Sequence, residues 1–176
     1  MPDMPAEQCP GSDQAVRLAQ DLLFFAYRDF TNAADVLLEE LGLGRAHHRA
    51  LHFIGRTPGM TVSELLGILR ITKQSLARVL GELIAGGLVA QTTGGADRRQ
   101  RLLGLTQAGA ALEQRLFARQ KARLAPAFQQ AGPAAFAGFE AVLRAIMDPA
   151  ARAVLDAGAD LIGKRSHVTD EPDDAR

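Results

Sequence analysis

The sequence predicts a mainly α-helical protein with one short β-hairpin near its middle and long helices towards both ends. Alanine and leucine dominate a chain that is 47% hydrophobic but only 5% aromatic, a composition that favours helices over sheets. Apolar residues recur at helical spacing in long stretches near the ends and in short stretches between them. A length of 176 residues fits one domain with an extension.

The composition and the N-terminal sequence indicate the cellular compartment of the protein. Cys9 is the single cysteine, so no internal disulfide framework is possible, and a reducing compartment is expected. The acidic, Pro-rich start lacks the apolar core of a signal peptide, and no run of about 18 apolar residues suggests a membrane helix. We therefore expect a cytoplasmic protein that does not enter a membrane. Nothing near Cys9 would lower its pKa, which favours a free cysteine over an oxidant-sensing one.

The middle of the chain predicts three short helices followed by a hairpin. The helices are expected at about Arg45–Gly55, Thr61–Leu69 and Thr72–Ala85. The stretches LVAQTT and RQRLLGL read as two strands around the turn sequence GGADR. Only Arg70 and Ile71 separate the apolar stripes of the second and third helices, so these helices must cross steeply. This is helix-turn-helix geometry.

The third of these helices has a polar face that suits DNA. Thr72 is the expected N-cap, and Gln74 and Arg78 point away from the apolar stripe. Arginine suits guanine and glutamine suits adenine through paired hydrogen bonds. Thr72, Lys73 and Ser75 lie at the N-terminal end and suit phosphates. A merely solvated face is the alternative interpretation.

A basic cluster follows the tip of the hairpin. It contains Asp97, Arg98, Arg99 and Arg101. From Arg70 to Arg101 there are six basic residues and two acidic ones, although the whole chain has a formal net charge of zero. Such a local excess indicates a surface for a phosphate backbone, and Asp97 is close enough in sequence to orient Arg99.

These motifs together resemble the winged helix-turn-helix of the MarR family of bacterial transcription regulators, over about Leu43 to Leu116. The family's wing pattern is met by Asp97, Arg99, Leu103, Leu105, Thr106 and Gly109, and its helix–Gly-Gly–Leu-Val step by Gly86, Gly87, Leu88 and Val89. The stretches FAYRDFTNAAD and ITKQSLARVL resemble the PetP-like branch. One departure is Arg70, which stands where the family's turn often has glycine and predicts a strained or altered turn.

The resemblance implies a homodimer whose terminal helices interlock, and a small, often aromatic, anionic effector that weakens DNA binding. The expected organisation is a disordered tail at 1–13, an N-terminal dimerisation helix at 14–42, a winged DNA-binding lobe at 43–106, C-terminal dimerisation helices at 107–163 with Pro126 as a kink or break, and a disordered tail at 164–176.

Candidate effector-binding residues are Phe25, Tyr27, His48 and His52. Aromatic residues at helical spacing more often pack in a core or a dimer interface. The spacing of His48 and His52 also suits a metal, but their short helix offers no cysteine or carboxylate. Surface or pocket-lining histidines are the favoured interpretation, and neither a metal nor a cofactor is expected.

The predicted function is a transcriptional regulator that binds a pseudo-palindromic promoter site in double-stranded DNA as a homodimer and that a small effector can release. The alternative is a winged-helix module for protein interaction without sequence-specific DNA binding. An enzyme is disfavoured because the sequence shows no nucleophile–base pair, phosphate-binding glycine loop or carboxylate dyad. The sequence does not decide between repression and activation.

Overall fold

The computed structural model describes residues 11–93 and 100–166. Within them the chain forms seven helices and three strands. In chain order these are α1 (Asp13–Glu40), α2 (Arg45–Arg56), β1 (Met60–Thr61), α3 (Val62–Leu69), α4 (Lys73–Ala85), β2 (Val89–Thr93), β3 (Arg101–Leu105), α5 (Gln107–Ala131), α6 (Pro133–Ile146) and α7 (Pro149–Ser166). The mainly helical fold with a short hairpin is therefore confirmed. Cys9, Asp97, Arg98 and Arg99 lie outside the described residues.

The sheet has one strand more than the predicted hairpin. Its order is β1-β3-β2, and both pairings are antiparallel. Leu103 of β3 pairs with Gln91 on one side and with Met60 on the other. A two-residue strand carries no alternation of apolar and polar residues, so its pairing depends on where α3 places it against β3. The predicted two-stranded wing is confirmed as β2 and β3, and β1 adds a third strand to the same sheet.

The C-terminal helices differ from the prediction in two places. Pro126 lies inside α5, and the helix continues past it to Ala131. Proline removes one backbone donor, but Pro126 is exposed, so water can satisfy the carbonyl that loses its partner. Gly132 is the C-cap of α5. At the other end of this region, α7 continues to Ser166, beyond the expected limit of the C-terminal helices at 163.

The hydrophobic core lies under the middle of the chain. It joins the last turns of α1, the inner faces of α2, α3 and α4, the sheet, and the first half of α5. The largest side chains that are almost fully buried are Leu38, Leu51, Ile54, Leu65, Leu76, Leu83, Leu103, Leu116 and Val79. The first two thirds of α1 and all of α6 contribute no buried residue. One face of each therefore remains uncovered in the single chain.

The turn between α3 and α4 is built around Arg70. Its φ of 50° and ψ of 42° place it in the left-handed region, and it is the one non-glycine residue with positive φ among the described residues. The expectation of a strained turn is confirmed. The Arg70 guanidinium lies 2.6 Å from the Asp148 carboxylate, which caps α7 by accepting a hydrogen bond from Ala151 N–H at 2.8 Å. The Ala151 amide first, and then Arg70, hold the pKa of Asp148 below its ordinary value.

Candidate DNA-binding surface

The first turn of α4 is capped as the sequence predicts. The Thr72 hydroxyl accepts a hydrogen bond from Ser75 N–H at 3.1 Å and donates one to Ser75 Oγ at 2.9 Å. The positive end of the helix dipole lies at this end of α4, where it favours an anion. Lys73 and Gln74 are exposed in the same turn. The N-terminus of α4 is thus suited to hold a phosphate.

The remaining surface of α4 is divided sharply between a buried and an exposed face. Leu76, Val79, Leu80 and Leu83 are buried, as the apolar stripe predicts. Gln74 and Arg78 are exposed, and both lie on the opposite side of the helix. The structure therefore brings the predicted reading residues onto one solvent-facing surface, while their contact with bases stays a prediction.

The wing is locked to the start of α5 by two residues of the Leu-Thr-x-x-Gly pattern. The Thr106 hydroxyl donates a hydrogen bond to Gly87 C=O at 2.6 Å, and Thr106 N–H donates one to Leu88 C=O at 3.1 Å. Thr106 also caps α5, because its hydroxyl accepts from Gly109 N–H at 3.0 Å. A Cβ atom at Gly109 would lie 1.9 Å from the Leu88 carbonyl oxygen. Only glycine allows this close approach.

Arg101 is the one member of the predicted arginine cluster that lies within the described residues. It is exposed at the first position of β3, and it pairs with Thr93 at the end of β2. The strand registers therefore place it next to the tip of the wing. Asp97, Arg98 and Arg99 lie outside the described residues, and their contact with DNA stays a prediction.

Glu82 on α4 makes contacts that were not predicted from the sequence. This carboxylate lies 2.5 Å from Nε2 of the buried His47 and 3.9 Å from the Arg78 guanidinium. The spacing of Arg78 and Glu82 by four residues was a usable signal. The contact with His47 was not visible in the sequence, because the two residues are 35 positions apart and meet only when α2 packs on α4.

The effector candidates fall into two places. Phe25 and Tyr27 are exposed on α1. Arg45 at the start of α2 pairs with Asp35 of α1, and the hydrogen bond to Asp35 raises the pKa of Arg45. His48 and His52 are half-buried on α2.

A carboxylate of α5 accompanies these two histidines. His52 Nδ1 lies 3.6 Å from the Glu113 carboxylate. Burial is the largest influence on all three groups: it lowers the pKa of His48 and of His52 and raises the pKa of Glu113. In residues 11–93 and 100–166 no three His, Cys, Asp or Glu side chains are arranged to hold a metal ion.

A helix-turn-helix followed by a β-hairpin on a three-stranded antiparallel sheet defines a winged helix-turn-helix DNA-binding domain. Residues 41–100 match the model of the MarR family. The chain is 50% identical to the HTH-type transcriptional regulator PetP of Rhodobacter capsulatus over 141 residues, which are 80% of this chain and 85% of that protein. The chain belongs to the MarR family of DNA-binding transcription regulators, and its similarity to the PetP-like branch is confirmed.

Solved structures share the fold. A cysteine-to-serine mutant of MarR from E. coli, complexed with operator DNA, superposes with a TM-score of 0.59 and 22% identity over 76% of this chain and 96% of that chain. A MarR family protein of Mycobacterium tuberculosis in complex with p-aminosalicylic acid gives a TM-score of 0.53 and 24% identity over 72% and 96% of the two chains. Among the helices that the structure describes, none is long and apolar enough to cross a membrane.

Proposed function

We propose that this regulator occupies a pseudo-palindromic promoter site as a homodimer, with α4 of each protomer in the major groove and the wing beside it. The observation that carries the proposal is the division of α4, whose apolar stripe is buried while Lys73, Gln74 and Arg78 remain exposed on one surface. A recognition helix presents its N-terminal residues to base edges. The operator complex of the E. coli relative supports the same use of the fold.

The wing is proposed to contribute affinity for DNA rather than sequence specificity. Arg101 is placed beside its tip, and Arg98 and Arg99 precede it in the sequence. Guanidinium groups at such a position can grip phosphates or enter a minor groove, and each phosphate contact contributes to the salt dependence of binding. Asp97 is proposed to orient Arg99.

The uncovered faces of the terminal helices support the homodimer. Many exposed apolar side chains on two helices indicate an interface, and identical chains most often pair about a two-fold axis. The side chains concerned are Leu18, Leu22, Leu23, Phe24, Phe25 and Tyr27 on α1, and Phe136, Phe139, Val142 and Ile146 on α6.

The homodimer is tested by mass. Sedimentation at micromolar concentration should give about twice 18.8 kDa, because two chains can bury the apolar faces that one leaves exposed. Leu22→Asp should shift the mass towards the monomer, since a charge would then lie in the interface. Thr92→Asp adds the same charge on β2 and should leave the dimer intact. A wild-type monomer at this concentration would contradict the proposal.

Binding to DNA is tested by an electrophoretic shift. Promoter duplexes recovered with the protein from cells should be retarded in the presence of excess non-specific competitor DNA, because reading by α4 adds to the electrostatic affinity. If the protein is instead a protein-interaction module without sequence-specific DNA binding, the excess competitor DNA should abolish the shift of the promoter duplex.

An effector is proposed to bind near the junction of α1, α2 and α5. Phe25 and Tyr27 on α1 would supply aromatic surface, and His48 and His52 on α2 would supply hydrogen-bond donors for an anion. The complex of the M. tuberculosis relative with p-aminosalicylic acid supports a small aromatic carboxylate as the chemical class. Such a ligand would act on DNA binding by favouring one separation of the two lobes over another.

A further inference from the structure

His47 is the one buried polar residue among the described residues, with 7% of its surface exposed. Its ring is held at both nitrogens. Gly44 N–H donates a hydrogen bond to Nδ1 at 3.0 Å, so Nδ1 is an acceptor and carries no proton. Nε2 therefore carries the proton of the neutral ring and donates it to Glu82 Oε2 at 2.5 Å. The first turn of α2 thus fixes the position of one carboxylate on α4.

The two oxygens of that carboxylate have different partners. Oε2 accepts from His47, while Oε1 lies 3.9 Å from Nη1 of Arg78. Arg78 has 73% of its side chain exposed and Glu82 has 45%. An exposed pair of this spacing contributes little to folding stability. The pair differs from an ordinary surface pair because its acidic member is attached to the core.

We propose that Glu82, anchored by His47, is a positioning residue that makes Arg78 discriminate between DNA sequences. The proposal rests on the reading role of Arg78 given under the proposed function. A free arginine on a helix in the major groove can contact any phosphate within reach, whereas an anchored carboxylate beside it repels phosphates and restricts the guanidinium. A guanine edge accepts two hydrogen bonds and carries no charge, so the carboxylate does not repel it, whereas a phosphate accepts two hydrogen bonds but is repelled.

The substitution Glu82→Gln separates charge from shape. Glutamine retains an acceptor for His47 Nε2–H and the length of the side chain, but it carries no charge. We expect affinity for a scrambled duplex to rise about threefold to tenfold and affinity for the operator duplex to stay nearly unchanged, so that the ratio of operator affinity to scrambled affinity falls by about the same factor. Glu40→Gln makes the same change of charge at an exposed position at the end of α1 and should leave the ratio unchanged.

Glu82→Asp tests the anchor. Aspartate keeps the charge but is one methylene shorter, so it cannot reach both His47 and Arg78, and the ratio should fall as it does in the glutamine variant. A wild-type ratio for Glu82→Asp would show that charge alone matters and would overturn the anchoring role. Circular dichroism of each variant verifies that the fold is retained.

A double-mutant cycle shows whether Glu82 acts through Arg78. In an Arg78→Ala background, Glu82→Gln should raise affinity for both duplexes equally and leave their ratio unchanged. The proposal is overturned if Glu82→Gln leaves the wild-type ratio unaltered, or if it lowers the ratio equally without Arg78. If the wild-type protein binds operator and scrambled DNA equally well, that result would instead contradict the proposed function.

Discussion

Gly109→Ala should destabilise the protein by about 3 kcal/mol or more, because the added methyl group meets backbone rather than a movable side chain. Its Cβ would lie 1.9 Å from the Leu88 carbonyl oxygen and 2.9 Å from the carbonyl carbon. To relieve the clash, α5 must move away from β2. That movement strains the hydrogen bonds by which Thr106 holds Gly87 and Leu88.

The measurement is urea unfolding at one fixed protein concentration, since a dimer's stability depends on concentration. Gly67→Ala is the matched control, because an added Cβ there meets no atom within 4 Å on the exposed side of α3. Alanine should stabilise that helix by about 1 kcal/mol. Equal unfolding midpoints for the two variants would contradict the close approach of α5 to the wing.

Arg78→Ala should cost about 1–3 kcal/mol of binding free energy on the selected operator and little on scrambled DNA, the value of one bidentate contact to a base edge. Arg78 lies opposite the buried stripe of α4, one turn after Gln74. The next side chain on that face is the Glu82 carboxylate, which repels phosphates, and the neighbouring Gly81 has no side chain. Reading should therefore end at Arg78.

Lys73→Ala should weaken binding to both duplexes about equally, since a lone ammonium at the start of α4 is placed for a phosphate. Arg119→Ala, at an exposed position on α5, is the control for a simple loss of charge. Dissociation constants are compared on operator and scrambled duplexes at one salt concentration. If Arg78→Ala lowers both affinities by the same factor, Arg78 is a phosphate contact and not a reading residue.

The helices of the lobe could be predicted because their signals are local. Apolar spacing defines the buried stripe of α4, Thr72 marks its start, and Gly86 and Gly87 mark its end. The Thr106–Gly109 pattern was recognisable in the sequence, but its reason appears only in the structure, where Leu88 C=O occupies the space that a side chain at Gly109 would need.

The features that could not be predicted depend on contacts between distant segments. β1 has two residues and exists through its pairing with β3. The bond from His47 to Glu82 spans 35 positions, and the pair of Arg70 with Asp148 joins the turn before α4 to the start of α7. Hydrophobic periodicity carries no information on which polar groups meet once the helices have packed.

Two copies of α4, related by two-fold symmetry, should read one duplex. A random duplex library can be selected with the purified full-length protein and then sequenced. The enriched sites should contain two inverted half-sites whose centres are about 10 base pairs, roughly 34 Å, or a multiple of that apart. A library that remains unenriched, or that yields single half-sites without a preferred partner spacing, would contradict this expectation.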